Sequence, residues 1–149
     1  SAKHFELIDE PLYFYYQNPN STVHVINRVK CENRMEAARL LVKESKERGF
    51  LDQYHDEIEF RFTELFYGTT LFSYLSGIQG EGFWKQCLFV KKLRDEMKET
   101  FPEFQKNSYY QDHMGQEEKE LIALQMKSNL LFYLRYRLVR MVRNTRKHG

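Results

Sequence analysis

The 149-residue sequence predicts a mainly α fold: a helical bundle of about four helices, preceded by a short N-terminal β-strand or extended segment. Three observations carry that expectation. Apolar residues recur at three- and four-residue spacing through four stretches, separated by glycine, proline or polar turns, the pattern that gives a helix one apolar face. Only three prolines and seven glycines interrupt the chain, and 42% of its residues are hydrophobic against 30% charged, so it has the material for a core. One segment breaks the pattern: PLYFYYQNPNST, Pro11 to Thr22, sets Tyr13, Phe14, Tyr15 and Tyr16 in a row and then turns polar. The length suits one compact unit better than two.

Taken in chain order, FELIDEPLYFYY (Phe5 to Tyr16) has Pro11 at its middle and a β-favouring aromatic second half, which predicts a short strand after a proline-led bend. Asn18-Pro19-Asn20-Ser21 supplies the turn that ends it. Such a strand needs a partner for its backbone groups, or must lie along the helices. A first helix is predicted from Val29 to Arg48, with Cys31, Met35, Ala38 and Val42 on one face beside Leu41, and Gly49 as its stop. A second opens near Asp52 as N-cap, and Tyr54, Ile58, Phe62, Leu65, Phe66, Phe72 and Leu75 keep the helical period until Gly77 and Gly80. Its other side carries Phe60, Tyr67, Leu71 and Tyr74, so this helix should be central and touched from two sides.

Gly80-Glu81-Gly82 leads to a third helix, Phe83 to Thr100, whose Val90, Leu93 and Met97 form a stripe that ends before Pro102. Phe104 to Gly115 reads as a polar and aromatic connection with NSYYQDHMG as its loop. The last helix starts at Gln116 and carries Leu121, Leu124, Leu131, Leu134, Leu138 and Met141. Its acids come first and its bases last, the order the helix dipole favours.

The 23 basic and 21 acidic residues leave a net charge of +2, and bulk charge gives no reason to expect nucleic acid as a partner. The bases are unevenly placed. Arg135, Arg137, Arg140, Arg143, Arg146 and Lys147 follow one another with no acid among them, so any anionic partner should meet that end. Cys31 and Cys87 have no CxxC partner and read as free thiols packed in the core. No stretch approaches the roughly 20 apolar residues that span a bilayer, which predicts a soluble or peripheral chain. The sequence does not open with Met, and Ser1-Ala2 reads as a cloning remnant, which leaves room for an excerpt of a longer chain.

The search for a self-contained active site finds no Gly-rich phosphate loop, no HExxH and no GxSxG. His55, Asp56, Glu57, Glu59 and Glu64 have the residue types of a metal or acid–base cluster, since His55 and Glu59 stand one turn apart. Near a helix N-terminus, where acids are stabilising, a solvated face is the preferred reading. Asp112-His113 reads as a turn and cap. The C-terminal LLFYLRYRLVRMVRNTRKHG places Leu130, Leu131, Leu134, Leu138 and Met141 on one side, and Arg137, Arg140 and Lys147 on another. Helices that lie on anionic membranes are built this way, and each base near such a surface adds about 1 kcal/mol. Apolar stripes more often face a core, so the leucines are expected inside, with a basic tail beyond them.

The segment Glu10 to Thr22, EPLYFYYQNPNST, resembles the one that closes the catalytic domain in many family 2 glycosyltransferases of the GT-A type. Pro11, Leu12, Tyr13, Tyr15 and Tyr16 match a late strand of that domain, Gln17 to Asn20 its polar tail, and Ser21-Thr22 the hydroxyls at its end. The resemblance implies that residues 1–22 finish a catalytic domain whose sheet lies in a missing N-terminal part. Residues 23–149 would then be a non-catalytic C-terminal helical domain. The full enzyme would transfer a sugar from a nucleotide-sugar donor to a glycan or lipid-linked acceptor, with a divalent metal, Mg or Mn, and this piece would need no cofactor of its own. The family's Asp-x-Asp and catalytic base are absent here, so the piece alone should be inactive. By the same resemblance, Ser21, Thr22 and His24 would help to close the donor site. The helices would support the catalytic domain, hold a second copy of the chain, or present Arg137, Arg140, Arg143 and Lys147 to an anionic membrane. That places the protein in the cytoplasm, peripheral on the inner membrane face. The alternative is a stand-alone helical interaction module whose basic last helix binds an anionic membrane or protein surface.

Overall fold

The computed structural model of the chain describes residues 27–77 and 81–147, with the backbone alone at 140 and 143–147. Among the described residues there is no strand, and the mainly α bundle expected from the sequence is what forms. The predicted strand segment and its turn, Phe5 to Ser21, lie outside the described residues.

Helix α1 (Arg28–Glu47) starts because the Asn27 side chain accepts a hydrogen bond from the Lys30 N–H at 2.9 Å, satisfying one of the donors that a helix start leaves open. Cys31, Met35 and Ala38 are buried at the predicted spacing. Gly49, at φ +72°, takes the left-handed position that ends the helix without steric cost. Cys31 is a free thiol as expected, and burial pushes its pKa up; Cys87 is only half-buried.

The second stretch is one rod of three parts: α2 (His55–Phe62), a π segment (Thr63–Thr69) and α3 (Thr70–Gly77). Asp52 does not cap it. The N-cap is Tyr54, which makes no side-chain capping bond, and the first-turn acids Asp56 and Glu57 serve the start instead. Hydroxyl back-bonds bracket the π segment, from Thr63 Oγ1 to the Glu59 carbonyl at 2.8 Å and from Thr70 Oγ1 to the Leu65 carbonyl at 2.7 Å. Widening the turn shifts the apolar pattern around the axis, so Phe62, Phe66, Tyr67, Leu71 and Tyr74 are all buried. The rod touches α1 on one side and α4 (Phe83–Thr100) on another, as a central helix should.

Aromatic contacts fill the space between these elements. Phe62 stacks on Phe66 with centroids 4.6 Å apart, and Tyr74 lies 4.0 Å from Phe89. Val90, Leu93 and Met97 of α4 are buried as predicted. One polar group is enclosed with its partners: Gln125 accepts from the Tyr67 hydroxyl and donates to the Val90 carbonyl at 2.9 Å, which ties three elements together. Arg39 of α1 reaches Glu96 of α4 through two bonds of 2.5 and 2.9 Å while its guanidinium lies over the Phe66 ring at 5.3 Å.

Glu81 closes the passage from α3 to α4 by accepting from the Tyr74 hydroxyl and from Arg28 at 3.1 Å. Tyr74's hydrogen bond, and then Arg28, hold its carboxyl below the ordinary 4.5. A depressed carboxylate contributes stability above its unfolded pKa and loses that contribution as pH falls through the folded value. Glu81→Gln should therefore flatten the stability loss below about pH 4.5, which denaturant unfolding at a series of acidic pH values will show.

Two connections differ from the sequence reading. The expected loop after Pro102 contains a 3₁₀ turn (Phe104–Lys106) and helix α5 (Ser108–His113). Asn107 organises both: its Oδ1 accepts from the Tyr110 N–H at 3.3 Å, while its Nδ2 donates to the Asp56 carbonyl and to Glu59 at 2.8 and 2.7 Å. Tyr110 is thereby buried, and burial pushes its phenol up to about 12. The single predicted last helix is broken at Ser128, which is extended (φ −156°, ψ 120°), into α6 (Gln116–Lys127) and α7 (Asn129–Lys147).

Candidate functional site

Helix α7 carries six bases and no acid. Among its described side chains Phe132 and Tyr133 are the buried ones, Tyr136 is half-buried beside Phe132, and Tyr133 is held by the Phe83 ring at 5.0 Å and by donating to Gln86 Oε1 at 2.5 Å. The expectation that the leucines face the core is overturned. Leu130, Leu131, Leu134 and Leu138 are each between 50 and 56% exposed, and Met141 and Val142 are exposed as well. The reason lies in the helix itself, which has two apolar sides: the aromatic side is seated on α4 and α6, and a helix packed from one side leaves the other in solvent.

At 100° per residue the four leucines occupy an arc of about 100°, with Arg137 at one margin and Arg135 at the other. Both arginines are exposed. The helical backbone continues through Arg140, Arg143 and Lys147, which extends the basic run along the axis. Trp84, 77% exposed, adjoins this helix through a chain of two ring contacts: Trp84 to Phe83 at 5.2 Å, then Phe83 to Tyr133. Leu88, one turn on from Trp84, is exposed too.

The other predicted residues fare differently. Ser21, Thr22 and His24 lie outside the described residues. His55, Asp56 and Glu59 do approach one another, with ligand atoms within 4.8 Å. The face is not wholly solvated as expected, because Glu59 is buried against Asn107. The trio fits a cation poorly: His55 and Asp56 sit in the first turn of α2, where open N–H groups make the field positive, and His55 Nδ1 is engaged with Asp56 at 3.1 Å. The divalent metal implied by the glycosyltransferase resemblance belongs to an Asp-x-Asp that this sequence does not contain. His113, expected in a turn, stands in the last turn of α5 with its ring against Phe60 and Tyr109.

Those rings belong to a groove that the sequence reading missed. A cavity of about 730 Å³ opens between the rod and α5, with Glu57, Phe60, Glu64 and Gly68 on one wall and Tyr109 and Met114 on the other. The Tyr109 hydroxyl donates to Glu57 at 3.0 Å, and that carboxylate pushes the phenol up. Arg61 bonds Glu64 at 2.5 Å. The one sequence signal for this site was the second apolar side of the rod, which includes Phe60.

Comparison with known protein families, with curated proteins and with solved structures finds no match. Among the described residues, no helix is long and apolar enough to cross a membrane.

Proposed function

We propose that this helical unit is an interaction module that docks on an anionic membrane surface through α7. The observation that carries the reading is the exposed leucine arc between Arg135 and Arg137, on a helix without a single acid. Such a helix lies in the plane of the interface, its leucines reaching the acyl boundary and Arg135 and Arg137 at their margins the lipid phosphates. The charge run selects anionic lipid, with the cytoplasmic leaflet as the natural target, at about 1 kcal/mol per base near the surface. Trp84 suits the same boundary, because an indole has a large apolar body and one polar N–H.

Trp84 is the sole tryptophan, so its emission reports the docking directly. Vesicles containing phosphatidylserine should shift it to the blue at low salt, and the shift should fade as salt rises. Replacing Arg137, Arg140 and Arg143 with Glu should abolish it. An equal response to phosphatidylcholine vesicles, or no response at low salt, overturns the reading. So does a concentration-dependent dimer formed through the same leucines.

The resemblance of Glu10–Thr22 supports a second and compatible reading, in which α7 holds a family 2 glycosyltransferase where lipid-linked acceptors lie. The nucleotide-sugar donor and the divalent metal then belong to a preceding domain, with Ser21, Thr22 and His24 closing over the donor. The mass of the native polypeptide in its source cells tests this. A product longer by a catalytic domain upstream of Ser1 supports it, and a product of this size removes it.

A further inference from the structure

We infer that the groove against the π segment is a binding site for a small organic cation, a protonated or quaternary amine. Its cavity of about 730 Å³ falls in the range of small-molecule sites. Its floor is made by the π segment. Gly68 of the π segment has no side chain there, and a Cβ at that position would meet Met114 Cε at 3.3 Å, so the thioether lies directly against the helix backbone. Short π segments inside α-helices recur at functional sites because they reshape one wall of a helix.

Acids outnumber bases around this floor. Phe60, Tyr109 and His113 form a triangle of rings with centroids 5.8 to 6.1 Å apart, too close to admit a ligand between them. What Phe60 and Tyr109 offer a ligand is their outer, electron-rich surface, which attracts cations. Three carboxylates, Glu57, Glu64 and Glu118, line the same cavity against one guanidinium, and that guanidinium, Arg61, is already bonded to Glu64. Glu118 forms no ion pair among the described residues. An anionic ligand would meet repulsion here, and a neutral apolar one would strip water from the carboxylates without compensation. A cation on an apolar body satisfies both the rings and the acids. These residues belong to the rod, α5 and α6, so the site is independent of the leucine face of α7.

The test uses the full chain with ¹³C-methyl methionine, whose Met114 signal reports from the floor of the groove. Choline is titrated against its neutral isostere 3,3-dimethylbutan-1-ol, and benzoate serves as the anionic control. Choline should give a saturable Met114 shift, with the neutral isostere and benzoate at least several-fold weaker. Tyr109→Ala should weaken choline binding about two- to fivefold, the range of an exposed cation–aromatic contact, while Tyr109→Phe, which keeps the ring, should retain it. Glu57→Gln with Glu64→Gln should also weaken choline while leaving the isostere unchanged. Equal binding of choline and the isostere would show an apolar groove without charge selectivity and overturn the proposal. The absence of any saturable Met114 shift, with the fold intact, overturns it as well.

Discussion

Phe66→Ala is expected to lower the unfolding free energy by about 3 to 5 kcal/mol, a large share of the roughly 5 to 15 kcal/mol that holds a domain together. Phe66 is fully buried within the π segment, stacked on Phe62 and covered by the Arg39 guanidinium. Truncation removes the ring's transfer energy and leaves a cavity whose walls are an aromatic and an ion pair. Arg39 cannot follow the retreating surface, because its two bonds to Glu96 fix it to α4. Phe66→Leu keeps most of the volume and should lose less. Denaturant unfolding decides the matter: the midpoint should fall while the slope stays constant. A loss under about 1 kcal/mol would show that the π segment relaxes to an ordinary α turn and refills the space.

That segment marks the boundary of what the sequence made legible. The limits of α1 and α4 follow from local signals, a polar cap or glycine at one end and a single apolar stripe between, and both lie within a residue of the predicted limits. The rod was recognisable as central because it is apolar on two sides. Its π turn was not, since the register shift at Thr63–Thr69 answers to packing from α1 and α4, which no local window contains. Helix α5 was hidden for a related reason. Ser108 to His113 is polar at most positions, and its stability comes from Asn107 bonding to Glu59 and the Asp56 carbonyl, about fifty residues away in sequence. The groove shares that origin, because Phe60 and Tyr109 become neighbours only once α5 is in place. In α7, two apolar stripes compete for one packing surface. The aromatic stripe prevails through larger side chains and the Tyr133 bond to Gln86, a choice that periodicity alone cannot make.

The displaced leucines give the second large effect, with the opposite signature. Leu134→Ser with Leu138→Ser should leave stability within about 0.5 kcal/mol, because both side chains are half in water and neither belongs to the core. Affinity for phosphatidylserine vesicles should nevertheless collapse. Burying the exposed half of each leucine is worth about 1 to 1.5 kcal/mol, so losing both costs about 2 to 3 kcal/mol, or roughly 30- to 150-fold. Neutralising Arg137 alone should cost only about fivefold, since one base near the surface contributes about 1 kcal/mol. The Trp84 emission titration measures both variants on one scale. If the leucine pair costs no more than the single arginine, attraction is purely electrostatic and α7 does not enter the interface. If the leucine pair lowers the midpoint of unfolding instead, those side chains are covered in solution, and a second copy of the chain becomes their partner.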